Sequence, residues 1–328
     1  MRDRILFNST IRVAHRWLFR LGLAFLLVFA GAQSHMRADS LIVSSLNGYI
    51  YQVDTSTNTT TTLLNTYGAA VDSLIFAPGN KIVFSLPDQG EIRILNTVTH
   101  DTKYVFGFNE PVDIALEPSG TSVLVSDYGQ TQVARVDLTA TYPHPVYLSN
   151  YLDNIDGITY DNAGDLFVVQ SWQGYVAQIS PTDGTILRRL RCPGCYGGYQ
   201  EMDGMTFDPS TGDLWVSSLT WNGLVEFNTQ LTSSKNFAIG EIRDPDGVEA
   251  DGNGNIFVAS KYDDHIYEYN IASGITTQLT YVPGLDDIAP LTGLGGPPPT
   301  TTPEASTLLM VCTGLLGLAG TVKRRLFS

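Results

Sequence analysis

Ile155-Asp156-Gly157-Ile158-Thr159-Tyr160-Asp161-Asn162-Ala163-Gly164-Asp165-Leu166-Phe167-Val168-Val169 is the stretch on which the fold turns. An acid, a small residue and an apolar residue open it, and a short run, a turn and a second run follow. The chain turns again at Ser171-Trp172-Gln173-Gly174 and runs through Tyr175-Val176-Ala177-Gln178-Ile179. A third turn, Pro181-Thr182-Asp183-Gly184, leads into residues 185–190. Runs rich in β-branched and aromatic residues, parted by Gly, Pro, Asn and Asp clusters, read as short strands joined by hairpins. The segment therefore reads as four strands.

The opening phrase recurs. Met202-Asp203-Gly204-Met205 and Pro245-Asp246-Gly247-Val248 are clear copies. Val71-Asp72-Ser73-Leu74, Pro111-Val112-Asp113-Ile114 and Leu285-Asp286-Asp287-Ile288 are weaker ones. Aligned on the residue before the small one, the copies start at Asp72, Val112, Asp156, Asp203, Asp246 and Asp286, 40 to 47 residues apart. A period in the low forties belongs to a radially repeated sheet, and four strands per period make a propeller blade. The second strand recurs at 40–43, 81–84, 122–125, 214–216 and 256–258, and the third at 49–53, 91–95, 132–136, 224–227 and 265–269. Residues 39–64 supply strands two to four without an opening strand, and 286–290 supply an opening strand with nothing after it. The expected fold is all-β: a six-bladed β-propeller over residues 39–292 with four-stranded blades, its ring closed by a C-terminal strand that completes the first blade. Closure removes the edges an open ring would expose. A solenoid would leave both fragments unpaired.

The two ends read differently from the body. Arg2, Arg4, Arg12, Arg16 and Arg20 precede an apolar run at 21–29, and Ala30-Gly31-Ala32 offers a small-residue cleavage site. Residues 1–32 are thus expected to be a secretory signal peptide, with cleavage after Ala38 a second option. An uncleaved anchor is the alternative, against which the short apolar core speaks. At the other end, a Gly/Pro/Thr linker (293–302) precedes Pro303-Glu304-Ala305-Ser306-Thr307, an apolar stretch at 308–322 and Lys323-Arg324-Arg325. Proline-rich linkers are semi-rigid spacers, and terminal basic residues hold a short span at the cytoplasmic face.

Between these ends, residues 33–303 carry 11 Lys and Arg against 31 Asp and Glu, more acidic than the −14 of the whole chain. Such a body argues against nucleic acid and anionic membrane as partners, and for cations or plain solubility. In an exported chain, Cys192-Pro193-Gly194-Cys195 reads first as a disulfide closing a tight loop. Haem attachment would need His where Tyr196 stands, zinc would need two further ligands that no matching pair supplies, and a redox pair is a further reading. Cys312 lies in the apolar tail.

In a propeller the opening strand of each blade lines the central channel. Asp72, Asp156, Asp203, Asp246 and Asp286 then converge on one mouth, with Val112 breaking the ring and Asp113 and Asp287 adjacent. Like charges so placed repel strongly at low dielectric. Water, backbone donors, raised pKa values or a bound cation must offset them, and oxygen-only ligation suits Ca2+ or another hard divalent cation. Asp before Gly at a strand start is also a common turn residue. The same face should carry the loops with Tyr128, Trp172, Trp221 and Tyr262, and the long loop with Tyr196 and Tyr199. Aromatics and acids around a shallow mouth suit a sugar or a cationic ligand, or simply pack between blades. No nucleophile–base pair, phosphate-cradling glycine loop or zinc motif is present.

Two resemblances add to this. Pro303-Glu304, the apolar stretch and the basic tail resemble the PEP-CTERM sorting signal of Gram-negative bacteria, with Ala305 where that signal usually has proline. The resemblance implies an exosortase-like processing enzyme as partner, transient contact of the C-terminal segment with the inner membrane, and a destination in the envelope, at the cell surface or outside. It also implies a link to exopolysaccharide. Pro245-Asp246-Gly247-Val248-Glu249-Ala250-Asp251 resembles NHL-type repeats and the gluconolactonase/regucalcin-like propellers, in which an acid or amide at this strand start ligates a divalent metal. Carried over, Asp203 and Asp246 match best and Asp156 third. That family also uses a Glu and an Asn, where this chain has only Asp or Val. Streptogramin-lyase-like propellers share the pattern but need a histidine base, and of His35, His100, His144 and His265 only His265 falls on the candidate face. The expected function is an exported binding or scaffold module for a polysaccharide or surface protein. A metal-dependent lactonase is the alternative.

Overall fold

The computed structural model describes residues 40–291; the expected leader, linker and sorting segment lie outside the described residues. The chain runs through β1 (Ser40–Ser45), β2 (Tyr49–Asp54), β3 (Thr59–Asn65), β4 (Leu74–Ala77), β5 (Lys81–Leu86), β6 (Glu91–Asn96), β7 (Thr102–Phe106) and β8 (Pro111–Leu116). It continues through β9 (Ser122–Asp127), β10 (Gln132–Asp137), β11 (Val146–Tyr147), β12 (Ile155–Tyr160), β13 (Leu166–Gln170), β14 (Tyr175–Ile179), β15 (Ile186–Arg191) and β16 (Met202–Asp208). The last eight are β17 (Asp213–Ser218), β18 (Gly223–Asn228), β19 (Ser234–Phe237), β20 (Pro245–Ala250), β21 (Asn255–Ser260), β22 (His265–Asn270), β23 (Ile275–Tyr281) and β24 (Leu285–Ile288). Among the described residues no helix is long and apolar enough to cross a membrane; the apolar stretch at 308–322 lies outside them.

Six four-stranded antiparallel sheets result. Five use consecutive strands: β4–β7, β8–β11, β12–β15, β16–β19 and β20–β23. The remaining one has the order β24-β1-β2-β3, with Val43 opposite Ile288 and Ser45 opposite Leu285. The C-terminal strand thus completes the first blade, as the complementary ends of the repeat predict.

Six apolar clusters hold the ring, each between two neighbouring blades. Alternation decides which side chain goes where, because successive residues of a strand point to opposite faces. In β9, Val123 and Val125 pack toward the blade before and Leu124 toward the blade after. In β13, Leu166 and Val168 face one neighbour while Phe167 and Val169 face the other. Middle strands are covered on both faces and so read as nearly continuous apolar runs. The outermost strands, such as β3 and β15, are mostly exposed.

The repeated phrase is a β-bulge. In β12, Ile155 pairs with Gln170 and Ile158 with Val168, so Asp156 and Gly157 stand against the single residue Val169. The same shift occurs in β8, β16, β20 and β24. A bulge bends its strand and re-aims a side chain, which is how the Asp of each phrase comes to face the channel. The small residue is set by close approach: a Cβ on Gly157 would stand 2.7 Å from the Asp203 carbonyl oxygen, and one on Gly204 2.8 Å from that of Asp246. On Gly247 it would stand 2.6 Å from Asp287 Cα. A second recurrent feature is a serine at or beside the end of the second strand. Ser45, Ser85, Ser171 and Ser260 donate to the carbonyls of Pro283, Val112, Met202 and Arg243 at 2.7–3.0 Å, pinning an inner strand or the segment that leads into one.

Candidate functional site

At the mouth formed by the strand starts, Asp156, Asp203, Asp246 and Asp286 are buried and Asp72 is half-buried. Their counter-charge is a residue of this chain. Lys261, one position past the end of β21, pairs its ammonium with Asp246 and, at 2.8 Å, with Asp286. Gln200 adds a neutral donor, its Nε2 lying 2.8 Å from Asp203 Oδ2 and 3.4 Å from Asp156 Oδ2.

Protonation does the rest. Burial, with the charge of Asp246 next, pushes Asp156 up to about 7 and Asp286 to about 8. Asp203 and Asp72 are also raised well above the carboxylate range, by burial first and then by Asp156 and Asp286 respectively. Asp246 goes the other way: burial opposes its charge, but Lys261 and hydrogen bonds from Asp203, Asp286 and Lys261 hold it low. Burial works against the Lys261 ammonium too, and Asp246 and Asp286 more than reverse it. The mouth therefore holds Asp246 as its charged carboxylate, beside carboxyls whose neutral forms burial favours, and an ammonium clamps it.

This bears on the divalent cation expected at Asp72, Asp156, Asp203, Asp246 and Asp286. Calcium takes about six to eight oxygen ligands, and here the two most buried carboxyls of the ring, Asp246 and Asp286, already face the Lys261 ammonium. Among the described residues, the group of metal-ligating side chains drawn within 4.8 Å of one another lies elsewhere, at Cys192, Cys195 and Glu201. As arranged, the ring does not fit a calcium shell.

The rim residues separate into two sets. Trp172, Tyr196 and Tyr262 are exposed, and the Arg243 guanidinium stacks 3.5 Å from the Tyr262 ring centre. Tyr128 is half-buried beside Asn154 and Trp172. Trp221 is structural: its Nε1 donates to Pro193 O at 2.7 Å and its ring covers Gly194. Cys192 and Cys195 are joined as a disulfide, their Cα atoms 5.5 Å apart. His265 is tied into its own loop, Nδ1 lying 2.7 Å from Asp263 O.

Farther along the inner strands lies a cavity of about 290 Å3. Its wall holds the carboxyls of Asp113, Glu249 and Asp287, the hydroxyls of Ser73 and Thr206, and apolar surface from Met205 and Phe207; it has no lysine or arginine. Asp113 is a structural tie as well, since it accepts from Ser73 Oγ and from the Ile114 and Ile158 amides, each at 2.7 Å, and so links three inner strands. Even so, burial lifts it to about 6. Glu249 accepts from Thr206 Oγ1 at 2.8 Å, and burial raises it well above its ordinary range. Asp287 is raised by burial and then by Asp113 and Glu249.

Lys261, Gln200 and Glu249 escaped the sequence reading. For Lys261 a signal existed: the pairing register equates it with Leu46, Tyr128, Ser171 and Leu219, none of them charged. Glu249, a second acid in the inner strand that already carries Asp246, was another signal. Gln200 carried none, since its reach depends on how the long loop folds back.

No family model and no curated protein matches the chain. Solved structures do. A chain of the nidogen/laminin complex superposes with a TM-score of 0.63 at 16% identity, covering 76% of this chain and 97% of that one. Virginiamycin B lyase from Staphylococcus aureus, in a catalytically inactive form with quinupristin, gives 0.56 at 16%, covering 75% and 86%. A protein of unknown function from Bacteroides thetaiotaomicron gives 0.56 at 12%, covering 75% and 78%. At these identities the likeness is one of fold.

Proposed function

We propose that this propeller is an exported binding module, and that its ligand carries a cationic nitrogen seated in the acidic cavity. One observation carries the reading: a 290 Å3 cavity walled by Asp113, Glu249 and Asp287 with no basic side chain in the wall. Burial without a cation disfavours the charged forms of such carboxyls. An ammonium entering the cavity would favour their charged forms and donate charge-assisted hydrogen bonds to their oxygens. Met205 and Phe207 would face the ligand's hydrocarbon part, the mixture of apolar wall and few polar anchors common in small-molecule sites. The Asp ring at the other mouth serves in this reading as a Lys261-clamped structural plug, which leaves the metal-dependent lactonase without its metal.

Export rests on the terminal segments: arginines before an apolar run at one end, and Pro303-Glu304 before an apolar run and a basic tail at the other. An exosortase-like enzyme would process the latter, and an exopolysaccharide matrix would be the setting. Exposed Trp172, Tyr196 and Tyr262 suit stacking on sugar rings there.

Calorimetric titration with pentylamine and with pentanol tests the cavity. The amine should bind and the alcohol should not. Glu249→Gln should weaken the amine by about 1.5–3 kcal/mol, the worth of a hydrogen bond to a charged group. Equal binding of the alcohol, or an unchanged affinity in the variant, would overturn the assignment.

A further inference from the structure

The loop between β15 and β16 brings together two sulfurs and a carboxylate that the channel does not use. Cys192, Cys195 and Glu201 are all buried, and their ligating atoms lie within 4.8 Å of one another. Glu201 is fully enclosed. Its Oε1 accepts from the Tyr196 and Gly197 amides at 2.8 and 2.9 Å, which fixes the carboxyl group in place. Its Oε2 is buried and has no hydrogen-bond partner. Leaving such an atom unpaired is costly, and it borders, with Cys195 Sγ, the space that a Cβ on Gly174 would fill. The backbone makes room for this: a Cβ on Gly174 would stand 2.6 Å from Cys195 Cβ and collide with Glu201 Oε2. Thr220 Oγ1 lies 3.9 Å from Cys195 Sγ, and Trp221 packs against the cluster from outside.

We propose that reduction of the Cys192–Cys195 bond turns this cluster into a site for a zinc-type divalent cation, ligated by both thiolates and Glu201 Oε2, with a water in the fourth position. The spacing of the two cysteines is that of a zinc half-site, and four-coordinate zinc accepts sulfur and carboxylate together. A dithiol reductant supplies two electrons and two protons, becoming a disulfide itself as the protein bond opens to two thiols. The incoming cation then displaces the two thiol protons to solvent and neutralises the unpaired Glu201 oxygen. Sequence spacing alone offers two ligands; the third comes from the fold of the loop.

Cobalt(II) provides the test, because thiolate ligation gives a near-ultraviolet charge-transfer band and tetrahedral geometry gives strong visible bands. Protein reduced with a phosphine, then freed of it, should take up Co2+ with both signals, and Zn2+ should bleach them. Oxidised protein should show neither. Glu201→Gln keeps the Oε1 acceptor and should bind Co2+ about 10- to 100-fold more weakly, the loss typical of a damaged metal shell. Cys195→Ser leaves Glu201 and its amide bonds in place and should lose the charge-transfer band. A reduced wild type that takes up no Co2+, or a Glu201→Gln protein binding as tightly as wild type, would overturn the proposal.

Discussion

Lys261 holds the charge balance of the mouth: the buried carboxyls of Asp246 and Asp286 lean on one ammonium. Removing one partner of a buried pair leaves the other charge uncompensated, at a cost of about 3–5 kcal/mol. Because a third of the Lys261 side chain meets solvent, Lys261→Met should cost about 3 kcal/mol, the lower end of that range, read by urea unfolding. Calcium should restore part of this in the variant and leave the wild type unchanged; a calcium-dependent rise in the wild-type melting temperature would reinstate the metal reading of the ring. The raised carboxyls set a pH dependence. Asp156 at about 7 and Asp286 at about 8 bind protons in the folded state that the unfolded chain, titrating near 4, has already released. Their contribution is complete below the unfolded value and is lost as pH rises through 7 and 8. Melting temperature should therefore fall between pH 5 and pH 8, and Asp286→Asn should flatten that slope. A slope unchanged in the variant would remove Asp286 as its source.

Inner strands are joined by backbone as much as by side chains. The bulges at Asp156-Gly157, Asp203-Gly204 and Asp246-Gly247 set each strand against its neighbour so closely that glycine is required. At Gly247 the neighbour is β24, the strand that closes the ring. Gly247→Ala would press a methyl onto Asp287, and overpacking of this kind costs about 1–3 kcal/mol. The expected loss is at the top of that range, since backbone has to move, and chemical denaturation measures it. A variant as stable as wild type would mean that β20 and β24 are farther apart than the close approach at Gly247 indicates.

The ring as a unit is closed by four residues, Leu285–Ile288, against β1. Leu285 and Ile288 also enter the apolar cluster between the last blade and the first. Ending the chain before Leu285 would open that cluster and leave the inner edge of β1 unpaired, an edge suited to pairing with other chains. Light scattering should show the truncated protein aggregating, and its cooperative thermal transition should be lost or markedly lowered. A monomeric, normally melting truncation would refute closure as the keystone of the ring.

Blade number, strand order and ring closure were readable from the chain because each is written locally: two-residue alternation marks a strand, glycine and aspartate mark its turns, and the 40–47-residue spacing counts the blades. Five carboxylates on one mouth followed from the same register. That an ammonium stands against two of them did not follow. Lys261 reaches Asp246 in its own blade and Asp286 in the next, a meeting set by the curvature of the ring. Glu249 and Asp287 line one cavity from different blades, and Glu201 faces Cys192 and Cys195 only because a glycine-lined loop folds back on itself. A repeat period states which positions are equivalent; where their side chains end, and what charge meets them there, depends on bulges, blade curvature and loops that bring together residues with no common spacing.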